Sequence, residues 1–393
     1  NQIVDLGPGH GASGGQVVFQ GSYRGILKAP ASLTGAYLSG RKHIELPPRR
    51  PVLLSPATGS IPRNTIPEAL KLRDVSAPAP APQPCEFLRL EHATRHNLKD
   101  LTVDIPLGRL VCITGVSGSG KTTLVREVLL PLLAARLETQ RPPGKASERS
   151  DAEAVESDDD QELSTEAEAP AARISGWESL GRVVLVDQAI LGKTPRSNPA
   201  VYIGAFEEIR EFFAQTEPAR QRGLNASAFS FNSTQGQCER CRGAGYEKIE
   251  MQFLSDVFIR CPDCNGRRYR QHILEVKVKG AWSRPWSIAD LLEATVEESR
   301  QFLSAFTESR PARRAVESLR WLEEVGLGYL KLGQPINTLS GGESQRLKLV
   351  RHLAEAERDA DGKLDTTGAD KPTLFLFDEP TTGLHFDDVR VLL

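Results

Sequence analysis

Hydrophobic positions along this 393-residue chain recur with two different periods. Alternation typical of β-strands runs through FLRLEHATRHNLKDLTVDIPLGRL, with a hairpin-type break. LVCIT (Leu110–Thr114) and TLFLF (Thr373–Phe377) are short continuous apolar runs, which are typical of buried parallel strands. Helical spacing appears in TTLVREVLLPLLAARL, SIADLLEATVEESRQFLSAF and ARRAVESLRWLEEVGL. Strands that alternate with helices predict an α/β fold.

Two segments interrupt this pattern. Residues 51–84 end in the Pro/Ala-rich stretch SAPAPAPQP, which predicts an extended linker. Residues 139–172 are rich in Glu, Asp, Ala and Ser and lack hydrophobic periodicity, so they predict a disordered insertion. Between Glu148 and Glu168 there are ten acidic residues and one arginine, a local charge of −9, whereas the whole chain carries −2. The remainder therefore carries +7, which favours a negatively charged partner such as nucleic acid.

Composition narrows the class of protein further. Hydrophobic residues make up 39% and charged residues 25% of the chain, which is enough for a packed core. No run of eighteen apolar residues predicts a membrane span, and no secretion signal is visible at the start. The chain begins without Met and stops within a helical pattern, so we expect a fragment of a longer, cytoplasmic protein.

The stretch GVSGSGKTT fits the phosphate-loop pattern G-x-x-x-x-G-K-[ST], and it lies between a predicted strand and a predicted helix. Glycines let backbone N–H groups turn towards phosphate, and the helix N-terminus adds positive potential. Lys121 is expected to reach the β- and γ-phosphates of ATP, and the Thr122 hydroxyl to coordinate Mg²⁺. The expected nucleotide-binding residues of this loop are Gly115, Ser117, Gly118, Gly120, Lys121, Thr122 and Thr123.

The apolar run TLFLF leads directly into Asp378 and Glu379. An acid at this end of a strand can hold Mg²⁺, directly or through water, so Asp378 is the expected second metal ligand. Glu379 is positioned to polarise the attacking water as a general base. In a chain with a phosphate loop, this pair predicts ATP hydrolysis.

The stretch LSGGESQR places Ser340, Gly341 and Gly342 at the start of a predicted helix, with Glu343 completing an S-x-x-E capping box. One interpretation is simply a well-capped helix. The other is a second helix N-terminus that binds phosphate, and the two interpretations are compatible.

Four of the six cysteines form two C-x-x-C pairs nineteen residues apart. Cys238, Cys241, Cys261 and Cys264 have the spacing of a four-thiolate Zn²⁺ site, and each pair is followed by a residue and then a glycine. A redox dithiol is less consistent with two matched pairs. Arginines near the second pair suggest DNA contact, although a purely structural hairpin remains an alternative.

These motifs resemble those of ABC-type ATPases, and the longer stretches GVSGSGKTTL, TPRSNPA, FSFN, LGQPINTLSGGESQRLKL and DEPTTGLHFDD resemble the UvrA family of DNA-damage sensors. IVDLGPGHGASGGQVV resembles the end of that family's first ATPase unit, and SLTGAYLSG its link to the second. The resemblance covers most of the chain apart from the acidic insertion. It implies an ABC-type P-loop ATPase with an inserted zinc module and a helical signature region.

The resemblance also assigns roles and boundaries. It implies that Gln188 contacts Mg²⁺ and the catalytic water, and that Ser340, Gly341 and Gly342 close over a nucleotide held by another unit. It implies damaged duplex DNA and a UvrB-like protein as partners, and a homodimer of the full-length protein. The expected regions are residues 1–50 (tail of unit one), 51–84 (linker), 85–138 (phosphate-loop part), 139–172 (insertion), 173–234 (Q-loop and connection), 235–280 (zinc module) and 281–393 (signature and Walker B part).

The chain also departs from the family pattern. The family's switch histidine lies beyond the point at which this sequence stops, and its first phosphate loop and partner-binding module are absent here. We therefore expect weak ATPase activity, or none, from this chain by itself.

Two alternative functions use the same motifs, namely the ATPase of a membrane transporter and a DnaJ-type zinc-knuckle chaperone. The cysteine pairs inside the ATPase argue against the first, and the phosphate loop against the second.

Overall fold

The computed structural model describes residues 2–9, 11, 14–45, 86–138, 172–189, 191, 195–249, 257–280, 284–361, 371–382 and 384–392. The whole predicted linker and all of the predicted acidic insertion except Ala172 lie outside these residues, so both remain predictions.

The N-terminal segment forms a hairpin and two short helices. Strands β1 (Ile3–Gly7) and β2 (Gln16–Gly21) pair antiparallel. Helices α1 (Tyr23–Ile26) and α2 (Leu33–Leu38) follow, and Ser32 caps α2 by accepting a 2.7 Å hydrogen bond from the Gly35 amide. Gly35 is required because a Cβ there would lie 2.2 Å from the Ile26 carbonyl oxygen.

The alternating segment forms an antiparallel sheet, as its pattern predicts. Its strands are β3 (Phe87–Ala93), β4 (Leu101–Pro106) and β5 (Arg173–Ser175), in the order β4-β3-β5. The inward side chains of the central strand, including Leu88 and Leu90, are fully buried.

The helix after the phosphate loop begins with a π-helical stretch at Thr123–Leu129 and continues as α3 (Leu130–Glu138). Pro131 explains the irregularity, because it has no N–H to donate to the Glu127 carbonyl four residues earlier. Arg95 Nη1 lies 3.4 Å from that carbonyl oxygen and donates to it instead.

A parallel pair of strands carries two acidic residues at one edge. Strand β6 (Arg182–Val186) pairs with the last strand of the chain, β9 (Thr373–Phe377), and Val186 lies opposite Phe377. Asp187 and Asp378 therefore leave the pair side by side.

The prediction that Leu110–Thr114 forms a buried strand is wrong. This segment has no strand structure, and Leu110 is 86% exposed. A strand needs a neighbouring strand to pair its backbone hydrogen-bonding groups, and the parallel sheet of the described residues contains only β6 and β9.

The largest core is helical and lies between residues 191 and 350. The longest helices that build it are amphipathic, and α8 and α9 start with capping boxes at Ser287 and Thr295. Its helices are α4 (Pro199–Tyr202), α5 (Ala205–Ala214), α6 (Glu217–Gln221), α7 (Gln271–Leu274), α8 (Ile288–Glu293), α9 (Val296–Ser304), α10 (Arg310–Glu324) and α11 (Gly341–Asp361), with 3₁₀ turns at Ala226–Phe229 and Ile336–Thr338.

Two further elements complete the described chain. Strands β7 (Tyr246–Ile249) and β8 (Val257–Arg260) form a hairpin between the cysteine pairs. Helix α12 (Phe386–Leu392) packs against the N-terminal segment, where Tyr37 donates a 2.8 Å hydrogen bond to Asp387. None of the helices described is both long enough and apolar enough to cross a membrane.

Candidate nucleotide and metal sites

The phosphate loop is an exposed turn that leads directly into the π-helical stretch. Gly118 and Gly120 adopt positive φ values of 76° and 95°, which glycine tolerates without strain. Lys121 Nζ donates to the carbonyl oxygens of Gly115 and Val116 at 3.0 and 2.9 Å. The lysine ammonium therefore lies over the loop, where phosphate oxygens could replace these carbonyls. Ser117, Gly118 and Thr122 are exposed to solvent.

Asn97 holds the loop from the other side. Its Nδ2 donates a 2.8 Å hydrogen bond to the Gly118 carbonyl, and a Cβ added at Gly120 would lie 2.8 Å from its Oδ1. The third glycine of the motif thus makes room for Asn97 as well as for phosphate.

Asp187 and Asp378, at the edge of the parallel strands, are bridged by Arg126. Its Nη2 donates to Asp187 Oδ2 at 2.7 Å, and its Nε forms an ion pair with Asp378 Oδ2 at 2.9 Å. Lys348 Nζ donates to the other oxygen of Asp187 at 2.5 Å. Burial alone would raise the pKa of Asp187, but the hydrogen bond and charge of Lys348, together with Arg126, lower it.

The predicted Mg²⁺ ligands are the hydroxyl of Thr122 and the carboxylate of Asp378. The Thr122 side chain makes no capping hydrogen bond in its helix, and Arg126 contacts only one oxygen of Asp378 among the contacts described. Hydroxyl and carboxylate oxygens are ligands that Mg²⁺ prefers. The donor atoms of these two predicted ligands are therefore of the type that the ion binds.

Gln188 and Glu379 meet through the backbone. Gln188 Nε2 donates to the Glu379 carbonyl oxygen at 3.0 Å, while the Glu379 side chain is exposed and accepts a 3.2 Å hydrogen bond from Thr382. Glu379 has a φ of 47°, an uncommon conformation for this residue type. A positive φ at the expected general base is consistent with a functional position.

The signature segment caps α11 as its sequence predicts. Glu343 Oε2 accepts from the Ser340 amide at 2.8 Å, and Ser340 Oγ accepts from the Glu343 amide at 3.3 Å. The three atoms nearest to a Cβ built on Gly341 all belong to Gln188, at 3.3 to 3.7 Å. Within this chain, the signature segment thus lies beside the Q-loop residue.

Sequence reasoning missed three residues that organise this site. Asp187 could have been found, because it follows a strand and precedes Gln188. Lys348 and Arg126 gave no signal, since each lies on a helix in an ordinary amphipathic pattern.

The four cysteines form a compact, buried cluster. All four sulfur atoms lie within 4.8 Å of one another, with Cys238–Cys261 at 4.0 Å and Cys241–Cys264 at 3.6 Å. A tetrahedral ion with Zn–S bonds of about 2.3 Å places its sulfurs about 3.8 Å apart. The cluster therefore has the size and ligands that a metal ion such as zinc requires.

The turns around the cysteines match this role. The Gly245 amide donates to Cys241 Sγ at 3.2 Å, and Gly243 and Gly266 both have a φ of 82°. Without a metal, burial raises the pKa of the Cys264 thiol well above its usual range. A bound cation would reverse that effect, since thiolates are the ligands of zinc.

The four arginines near the second cysteine pair differ in burial, and only Arg268 is withdrawn from solvent. Arg268 is 4% exposed and donates to the carbonyls of Pro195 and Gly333. Arg267 and Arg270 form ion pairs with acidic side chains, whereas Arg260 is exposed. The contacts of Arg267 and Arg268 join the base of the hairpin to the helical core.

Known proteins resemble this chain along its whole length. The UvrABC system protein A of Thermus thermophilus is 43% identical over 392 residues, and that of Escherichia coli K12 is 39% identical over 394 residues. The crystal structure of UvrA2 from Deinococcus radiodurans matches all of the chain with a TM-score of 0.70 and 36% sequence identity. UvrA homologues therefore cover the whole of this chain. No protein-family model matches it.

The similarity to UvrA2, together with the mixed α/β structure and its four-cysteine cluster, confirms the predicted ABC-type ATPase fold. The chain covers 33% and 34% of the two UvrA relatives and 38% of the UvrA2 structure. It therefore spans about a third of the length of the curated relatives it matches.

Proposed function

We propose that this chain carries one nucleotide site of an ATP-dependent damage-recognition protein of nucleotide excision repair. The observation that supports this most directly is the phosphate loop, with Lys121 lying over it, in a chain that matches UvrABC system protein A over its full length. Damaged duplex DNA and a UvrB-like protein are the proposed partners. The names of the relatives support this choice.

The proposed chemistry assigns one task to each polar group. Lys121 leaves the loop carbonyls and neutralises the β- and γ-phosphates, while loop amides and the helix N-terminus hold their oxygens. Thr122 and Asp378 would hold Mg²⁺, which supplies charge neutralisation at the phosphates. Glu379 accepts a proton from the attacking water, and Gln188 orients that water.

The signature segment completes a site in a second unit. Ser340, Gly341 and Gly342 form the start of a long helix, with Ser340 exposed and the two glycines half-buried. Amide groups and the helix dipole favour phosphate at such a position. In this chain they lie beside Gln188, so we propose that they bind a nucleotide held by another unit. A homodimer of the full-length protein supplies that unit.

We propose that the cysteine cluster binds one Zn²⁺ ion and that the hairpin it holds takes part in damage discrimination. Among the described residues of the hairpin, only Ala244 packs against the four cysteines, so this part has almost no apolar core of its own. A metal stabilises such a small module. Phe258 and Ile259 are exposed on β8, next to Arg260, and offer an apolar and cationic surface to distorted DNA.

Nucleotide binding by the purified chain tests the central claim. Lys121→Ala should abolish binding of a fluorescent ATP analogue, whereas Glu379→Gln should bind it and lower turnover by about 10²–10⁴-fold where the parent turns over. Equal affinity of Lys121→Ala and the parent would contradict the assignment. Filter binding to irradiated and intact DNA tests the substrate, and equal retention of the two DNAs would count against damage recognition.

A further inference from the structure

We propose that Arg126 is a positioning residue that forms an ion pair with the carboxylate of Asp378 and sets the concentration of divalent cation that the nucleotide site requires. The proposal rests on the nucleotide site described above. Arg126 lies outside both the phosphate-loop motif and the acidic pair Asp378–Glu379.

Arg126 is held at two points that belong to different strands. Its Nη2 donates to Asp187 Oδ2 at 2.7 Å, and its buried Nε forms an ion pair with Asp378 Oδ2 at 2.9 Å but lacks the geometry of a hydrogen bond. A guanidinium presents several donors in a rigid plane, so one side chain can contact both carboxylates at once. The side chain therefore places a positive charge beside Asp378 before any cation arrives.

Charge balance shows what Arg126 does to a metal. Asp187 and Asp378 carry two negative charges, and Lys348 and Arg126 carry two positive charges, so this cluster is neutral. A divalent cation at Asp378 would bring the cluster to +2 while Arg126 remains in place. Arg126 therefore repels the cation and competes with it for the same carboxylate.

Asp187 does not need Arg126 to remain satisfied. Lys348 Nζ contacts its other oxygen at 2.5 Å, and both side chains of that pair are nearly buried, at 7% and 13% exposure. Removal of Arg126 thus leaves no buried carboxylate without a partner. Neutral variants at this position are therefore expected to fold.

Binding of mant-ATP by the 393-residue chain, measured by fluorescence over a series of free Mg²⁺ concentrations, tests the proposal. Arg126→Gln and Arg126→Met, which remove the charge, should each lower the Mg²⁺ concentration at half-maximal binding by at least about tenfold. Arg126→Lys retains the charge and should stay within about twofold of the parent. Arg314→Gln removes a charge from an exposed ion pair with Glu208 and should not change the midpoint.

The outcomes separate this proposal from the function on which it rests. Midpoints that match the parent in both neutral variants would overturn it, and so would an equal shift in Arg126→Lys. If the parent binds no mant-ATP at saturating Mg²⁺, the proposed function fails. In that case the role of Arg126 is tested by a Mn²⁺ titration without nucleotide, read by electron paramagnetic resonance. Higher Mn²⁺ affinity in both neutral variants than in the parent supports that role, and unchanged affinity overturns it.

Discussion

Replacing Arg268 with Ala tests whether the base of the cysteine hairpin is part of the protein scaffold. The guanidinium is almost fully buried, and its Nη2 donates to the Pro195 carbonyl at 3.0 Å and to the Gly333 carbonyl at 3.1 Å. It also lies 5.1 Å from the centre of the Phe231 ring. One side chain thus joins the second cysteine turn to the loops at Pro195 and Gly333.

The loss of stability expected for Arg268→Ala follows from these contacts. Each hydrogen bond from a charged group contributes about 1.5–3 kcal/mol, and truncation leaves two carbonyls without this donor. The stabilisation from these two hydrogen bonds is partly offset, because burial of the charged guanidinium is itself unfavourable. The same burial lowers the pKa of Arg268. We expect Arg268→Ala to lower the free energy of unfolding by about 2–4 kcal/mol, and Tm by roughly 5–15 °C.

Thermal melting followed by circular dichroism, with zinc content measured on the same samples, is the assay. Arg268→Lys should lose less stability than Arg268→Ala, because an ammonium at the same place can still donate to a carbonyl. Arg260→Ala removes an exposed arginine of the same hairpin and should change the free energy of unfolding by less than about 0.5 kcal/mol. If Arg268→Ala melts with the parent while its DNA affinity falls, then Arg268 acts as a DNA contact and the argument from burial is wrong.

Three further predictions concern other parts of the chain. Cys261→Ser should lose bound zinc, measured by elemental analysis, whereas Cys112→Ser should retain it. Deletion of residues 141–171, which keeps the buried Ala172, should leave Tm within a few degrees of the parent, and a large fall would show that the insertion packs on the core. Because the folded-state pKa of Asp187 is lowered, its ionisation stabilises the protein at neutral pH, and this contribution is lost as pH falls below about 4. Asp187→Asn should therefore flatten the acid limb of the stability curve, and an unchanged limb would contradict the assignment.

Local chemistry explains why several elements could be predicted from the sequence. Alternation over β3 and β4, the apolar run of β9 and the capping box at Ser340 each depend on neighbouring residues only. The four-cysteine cluster was also predictable, because metal ligands in two matched turns have a recognisable spacing.

Tertiary contacts explain why other features could not be predicted from the sequence. Leu110–Thr114 has the apolar character of a buried strand, but a strand forms only where neighbouring strands accept its backbone hydrogen bonds. Arg268 looks like a surface arginine in sequence, and only the positions of two distant carbonyls make it a buried scaffold residue. Such long-range partners leave no periodic signal in a sequence.

The contacts of Gln345 add a mechanical constraint on the proposed site. Its Nε2 donates to the carbonyls of Val186 and Asp378, the residues at the ends of β6 and β9, at 3.1 and 3.2 Å. Gln345 lies on α11, the helix that starts at the signature segment. A shift of α11 along the strands must therefore break two buried hydrogen bonds or carry Asp378 with it. Since the signature segment is proposed to bind a nucleotide in another unit, any movement of α11 that accompanied such binding would reach the backbone of Asp378 through this side chain.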